Sequence, residues 1–186
     1  IENTDRFFQV LSNLSGNPVP AYWENYRGRL VDAYIDGHKY CTGRRAIVAG
    51  DEEMVIAVCS FLDEIGVLPV IAATGANNPN FAERISQSIP NTRDVPIIAN
   101  DSDYETILEL ARDKEIDFVI GNSKSYYLAR NLDVPLIRAG FPVHDRMGGQ
   151  RILHLGYRGT LSLFDKVCNA IMTKQQEAAE NGWTYI

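Results

Sequence analysis

From Ala46 to Ala49 four apolar residues run directly into Gly50-Asp51, which reads as a buried strand turning at once into a helix that extends to about Ile65. The same logic then recurs. Val67–Ala73, Val95–Ala99, Asp117–Gly121 and Val134–Ile137 are predicted as further strands, with helical stretches filling the gaps. Unbroken apolar runs, as opposed to alternating ones, belong to strands covered on both faces, and helical connections give right-handed crossovers into a parallel sheet. The predicted fold is α/β, a Rossmann-like doubly wound parallel sheet of about five strands.

Helices flank the sheet at both ends. The run Ser15-Gly16-Asn17-Pro18-Val19-Pro20 separates two helical patterns, because proline restricts the residue before it and glycine permits the turn. The second pattern, Ala21 to His38, places Leu30, Val31, Tyr34 and Ile35 on one face and predicts a bracing helix. From Arg138 to Tyr157 the rhythm breaks over a length uncommon for a loop without a purpose, with Pro142, Gly148 and Gly149 inside it. A long C-terminal helix is predicted from Thr160 to Ala179, its apolar stripe formed by Leu161, Phe164, Val167, Cys168 and Ile171. The expected division is a helical extension at 1–43, the Rossmann-like domain at 44–180 and a loosely held tail at 181–186.

Composition narrows the function classes. The chain has 186 residues and a net charge of -6, so phosphate-backbone binding, which needs clustered Lys and Arg, is disfavoured. No apolar run approaches the roughly 18 residues of a membrane span, and a membrane role has no support. Three cysteines, Cys41, Cys59 and Cys168, are an odd number without CxxC spacing, which predicts neither a disulfide framework nor a self-contained metal site. A reducing, cytoplasmic setting is expected. Ile1 followed by Glu2-Asn3-Thr4-Asp5 is not a secretion signal, and the expectation is a fragment of a larger subunit.

In an open parallel sheet, ligands collect beyond the carboxyl ends of the strands. Four segments are predicted there: Gly50 to Glu53, Thr74 to Asn78, Gly121 to Ser125, and Gly140 to Gly149. A dinucleotide site needs Gly-x-Gly-x-x-Gly after the first strand, but the turn has one glycine and three carboxylates, and no GxxxxGK[ST] occurs. Nucleotide binding is disfavoured. Ordinary helix capping accounts for Asp51 and Ser123. His38 reads as a helix-end residue, and Cys59 and Cys168 as buried hydrophobes.

The densest polar cluster is His144, Asp145, Arg146, Gly148, Gly149, Arg151 and His154. It is the candidate lining of an anionic cofactor cavity, since Arg offers a fixed fork of donors and His ligates metals or moves protons. The alternative is an Asp-Arg pair that clamps a long loop over the strand ends. A further reading from another class is a stand-alone small-molecule binding domain that uses the 140–151 loop.

Ordered short words also run along the chain. They include Thr4-Asp5, Leu14-Ser15-Gly16, Pro18-Val19-Pro20, Arg27-Gly28-Arg29-Leu30-Val31-Asp32, Asp36-Gly37-His38, Gly43-Arg44-Arg45 and Ala49-Gly50-Asp51. Phe61-Leu62, Gly66, Ile120-Gly121-Asn122-Ser123, Val134-Pro135-Leu136-Ile137-Arg138, Gly140-Phe141-Pro142, Asp145-Arg146 and Gly156-Tyr157-Arg158-Gly159 continue the series. In this order and spacing the chain resembles the C-terminal part of a β-type chain of the nitrogenase component 1 family, and equally that chain's cofactor-assembly paralogue.

That resemblance implies a domain that pairs with an α-type chain and whose assembly receives electrons from an iron-protein reductase. It implies an iron-sulfur cluster and an iron-molybdenum-type cofactor in the parent complex, and none bound by this fragment, because the family's cluster cysteines lie in an N-terminal region that this chain lacks. In α-type chains a histidine in the loop corresponding to Val143–Leu155 helps to hold the cofactor. The β-type pattern here does not align onto it, so neither His144 nor His154 receives that role. A short connection from Tyr126 to Val134, with Met147-Gly148-Gly149, departs from the β-chain pattern and tilts the reading toward the assembly-scaffold type.

Overall fold

The computed structural model describes residues 1–180. The expected tail at 181–186 lies outside the described residues. Five strands, β1 (Arg45–Gly50), β2 (Leu68–Thr74), β3 (Ile97–Ala99), β4 (Phe118–Gly121) and β5 (Leu136–Arg138), form one sheet in the order β3-β2-β1-β4-β5. Every pairing is parallel. This is the predicted doubly wound α/β architecture, with order reversing between β1 and β4.

Side chains alternate along each strand and build two cores. Ala46 and Val48 of β1, with Phe118 and Ile120 of β4, join one apolar layer with α2 (Ala21–Cys41), α3 (Glu52–Glu64), α4 (Phe81–Ser88) and α7 (Gly156–Ala178). Ile47 and Ala49, with Val119, face the other way and pack on α5 (Tyr104–Ala111) and α6 (Tyr126–Asn131). Each fully buried aliphatic side chain contributes roughly 1.5–3 kcal/mol by leaving water, so the central strands carry much of the stability.

Element boundaries depart from expectation in a few places. Val95 is exposed and Pro96 lacks an N–H, so β3 begins only at Ile97. The Val134 N–H closes onto the Ala129 carbonyl at the end of α6, which leaves β5 to start at Leu136. At the C-terminal helix the shift is the other way: α7 starts at Gly156, and its first turns bury Tyr157 and Gly159. The inward stripe of α2 is Leu30, Gly37 and Cys41 with Ala33 and Tyr34 beside the core, whereas Ile35, expected inside, points out. Asp51 stands at the N-cap of α3 without making a side-chain cap bond. At the turn Ser123–Ser125 the cap is Asn122, whose side chain accepts from the Lys124 N–H, and not Ser123. Cys59 and Cys168 are buried, and His38 bonds the Ile35 carbonyl of its own helix.

The first helix, α1 (Glu2–Ser15), buries no residue fully. It is moored by polar and aromatic contacts. Asp5 accepts a forked pair of hydrogen bonds from Arg27 and a third from the Tyr157 hydroxyl at 2.6 Å. Phe8 stacks on Tyr157 with ring centroids 5.7 Å apart and tilts against Trp23 at 5.3 Å. On its outer side Phe7, Val10, Leu11 and Leu14 repeat at helical spacing and stay exposed.

Candidate functional site

The register sets Gly50 level with Thr74, and Ala49 level with Gly121, at the carboxyl edge of the sheet, where the strand order reverses between β1 and β4. Met54 from α3 packs beside the turn after β1, between Gly50 and Gly140. A methyl group added to Gly50 would lie 2.6 Å from Met54 Cε, and one added to Gly140 would lie 3.0 Å from Met54 Cγ. Farther along the edge, Asn78 and Asn100 exchange backbone and side-chain hydrogen bonds at 3.0–3.2 Å. The Asn78 amide and Arg84 also engage Glu52, and Arg84 reaches Glu53. Two of the turn's three carboxylates are thus engaged from within the chain.

At the end of β4 the chain offers the free N–H groups of a helix start, an arrangement that suits an anion. Here the loop after β5 supplies the acceptors. Ser123 N–H donates to the Pro142 carbonyl at 3.1 Å, and the Ser123 hydroxyl donates to Asp145 Oδ1 at 2.5 Å. The same hydroxyl oxygen accepts from the His144 N–H at 2.9 Å. Asn122 completes the turn: its Oδ1 accepts from Lys124 N–H and from the Tyr104 hydroxyl, and its amide donates to the Phe141 carbonyl.

Asp145 is the hub of this network. Arg138, at the end of β5, donates from Nε at 2.9 Å to one carboxylate oxygen and from Nη2 to the other. Arg146 adds a longer contact at 3.4 Å. The Arg138 hydrogen bonds first, and the Ser123 hydroxyl second, hold the Asp145 carboxyl well below the usual carboxylate range. The backbone N–H groups of Ser123 and Lys124 are taken by the Pro142 carbonyl and the Asn122 side chain, and the Asp145 carboxylate by the Ser123 hydroxyl and Arg138.

The other predicted site residues are distributed around this hub and do not converge. Arg151 folds back over Gly148, its N–H donating to the Gly148 carbonyl at 2.8 Å. Gly149 is buried at a point where an added methyl would stand 2.0 Å from the Val143 carbonyl oxygen, so only glycine fits. The His144 side chain is exposed. Arg146 lines a groove of about 740 Å³ with Arg138, Tyr126 and Lys166.

His154 faces a second groove, of about 630 Å³, which opens beside the ends of β1 and β5 and is lined by Asp51, Met54, Gly140, Phe141 and Leu155. Its ring meets Phe141 edge-on at 6.0 Å, and Nε2 is buried without a partner. Desolvation, helped by Lys166, lowers its pKa and favours the neutral ring. Sequence reasoning missed this groove. Its signal was the apolar Phe141, Ile152, Leu153 and Leu155 inside a segment otherwise read as a polar loop.

The cysteines stand elsewhere. Cys41 and Cys168 meet between α2 and α7, and Cys59 is buried on α3. Among the described residues no group of three or more His, Cys, Asp or Glu side chains is arranged to hold a metal ion. These donors do not fit the ligand set of an iron-sulfur or iron-molybdenum-type cluster.

Residues 1–172 match the family described as nitrogenase component 1 type oxidoreductase. The chain belongs to that family. It is 34% identical over 178 residues to the nitrogenase molybdenum-iron protein beta chain of Methanothermobacter thermautotrophicus, covering 95% of this chain and 39% of that one. Against the nitrogenase vanadium-iron protein beta chain of Trichormus variabilis it is 30% identical, covering 98% and 41%. The solved structure titled "Nitrogenase Cp1 at pH 6.5" superposes with a TM-score of 0.94 at 28% identity, over all of this chain and 41% of that one. This component 1 chain thus spans about two fifths of the length of the relatives it matches. The two relatives from Methanothermobacter thermautotrophicus and Trichormus variabilis are β-type chains, as the sequence resemblance implied.

Proposed function

We propose that the chain is the C-terminal domain of a nitrogenase molybdenum-iron protein-like subunit, within an iron-sulfur oxidoreductase or an iron-molybdenum cofactor assembly complex in the cytoplasm. Its partners in this reading are an α-type chain and an iron-protein reductase. The iron-sulfur cluster and iron-molybdenum-type cofactor belong to the parent complex, and this domain supplies wall and support without holding a cluster or turning over alone. No nucleic acid or membrane takes part; no helix among the described residues is long and apolar enough to cross a membrane.

The observation that carries this reading is the likeness to β-type chains over nearly the whole length, and it is supported by a loop after β5 whose central carboxylate, Asp145, is already bonded by Arg138 and Ser123. The exposed stripe Phe7, Val10, Leu11 and Leu14 supports burial of α1 against other protein in the complex. The stand-alone binding reading is weakened at Asp145 and Ser123, whose groups bond within the chain, and is left with the groove at His154 as its place for a ligand. The test is iron and acid-labile sulfide content, with a visible spectrum, on the protein after anaerobic reconstitution. The expected result is no stoichiometric cluster. A stoichiometric cluster would overturn the supporting role and point to His144, His154 and the three cysteines as ligands.

A further inference from the structure

The α2–α7 junction carries two thiols face to face. Gly37 makes the approach of the helices close: an added methyl there would stand 2.5 Å from Phe164 Cζ and 3.1 Å from Cys168 Sγ. One turn farther along α2, Cys41 Sγ lies 3.4 Å from Cys168 Sγ, although the residues are 127 positions apart in sequence. A disulfide needs the sulfurs at about 2.05 Å, and these two already touch. Cys168 is not sealed in, since it borders a surface groove of about 490 Å³ lined also by Asp36, Lys39, Tyr40, Asp165 and Asn169. We propose that Cys41 and Cys168 form a reversible disulfide when the protein meets a peroxide, making the junction of α2 with α7 a redox-sensitive staple.

The two sulfurs have different parts in the step. The two thiols share a hydrogen bond that either can donate, and it favours the thiolate at Cys168, whose pKa is lowered, over Cys41, whose pKa is raised by that bond and by burial. Cys168, which borders the groove while Cys41 lies behind it, is the sulfur that a peroxide reaches and the attacking one. Its thiolate attacks one peroxide oxygen, the O–O bond breaks, and water leaves, giving a sulfenic acid. The Cys41 sulfur then attacks the Cys168 sulfur, the S–O bond breaks, and a second water leaves as the S–S bond forms. Two thiols lose two electrons and two protons, and one peroxide becomes two waters. Cys59 takes no part: it is fully buried on α3, and burial pushes its thiol up to about 12.

The intact protein, reduced and then exposed briefly to hydrogen peroxide below its unfolding temperature, is alkylated and mapped by mass spectrometry without reduction. Free thiols are expected to fall from the three in the sequence to one. The peptides bearing Cys41 and Cys168 should run as one linked species with a loss of about 2 Da, and dithiothreitol should restore both thiols. Cys59→Ser should leave the reaction intact, and Cys41→Ser should abolish the link. Because the peptide map of the unaltered protein decides the question, a variant that fails to fold does not block the test. Oxidation of Cys168 to sulfinic acid with Cys41 still free, a link that includes Cys59, or a cross-link between two molecules would each overturn the proposal.

Discussion

From Arg45 to Ile137 the sheet is held by apolar side chains buried on both faces, whereas the segment from Arg138 to Leu155 is held largely by hydrogen bonds to a few fixed points. The contrast is one of mechanism. Burial is non-directional and tolerates small shifts, but the loop depends on individual donors and acceptors that either meet or do not. A loop of this length over the strand ends stays ordered because β4 and β5 are adjacent. That adjacency puts Ser123 and Arg138 on the same carboxylate. Disturbing the sheet should therefore loosen the loop, while disturbing the loop should leave the sheet nearly untouched.

The largest effect is expected at Phe118, which is fully buried in β4 and belongs to the core layer shared with α2, α3, α4 and α7. Phe118→Ala removes a ring from the centre of one core and should cost about 3–5 kcal/mol in urea or thermal unfolding, with loop protection lost as well. A loss under about 1 kcal/mol would mean that the sheet is not the support on which the loop depends.

Gly149→Ala should come next. The added methyl group meets the Val143 carbonyl oxygen at 2.0 Å, so the backbone of the loop must move. Overpacking of this kind costs on the order of 1–3 kcal/mol. Amide exchange should rise from Val143 to Leu155 and stay unchanged in β1 and β4. If the β1 amides lost protection equally, loop and sheet would be one cooperative unit and the comparison would fail.

The sheet and its reversal were legible because a run such as Ala46–Ala49 has few other readings once a turn and a helix follow it. Its edges were less so. Pro96 and Pro135 lie inside apolar runs, but proline cannot donate to a ladder, so both strands start later than the pattern suggests. In α2, Gly37 and Cys41 belong to the inward stripe, and a small residue in a stripe gives no hydrophobic signal although it sets how closely helices meet. The polar cluster was visible as composition, and the Asp145–Arg146 contact does occur. The shorter and forked pair, however, is with Arg138, and the Ser123 hydroxyl comes from 22 residues away. Spacing along the chain carries no trace of such partners; strand order does. The early start of α7 was hidden for a related reason, since Gly156 and Gly159 read as loop while Gly159 lets the first turn press on the His154 backbone.

The smallest effect on global stability is expected at Asp145, and it is the one that isolates the loop. Asp145→Asn keeps the shape but removes the charge that draws in Arg138 and weakens the acceptor for Ser123. The unfolding midpoint should barely move, while the Ser123 and His144 amides exchange faster, because the hydroxyl and carbonyl that they bond lose their anchor. The pH dependence follows from the same carboxylate. Its folded-state pKa lies below the ordinary value of 3.8, so the unfolded chain binds the proton more readily than the folded one. The contribution of Asp145 is then complete above 3.8 and is lost only as the pH falls beneath that value toward the folded pKa. Loop protection in the unaltered protein should stay level down to about pH 4 and decline below it, and the Asn variant should lack that acid step. A decline of the same size in the variant would assign the acid sensitivity to other carboxylates and leave the Arg138–Asp145 pair without a part in holding the loop.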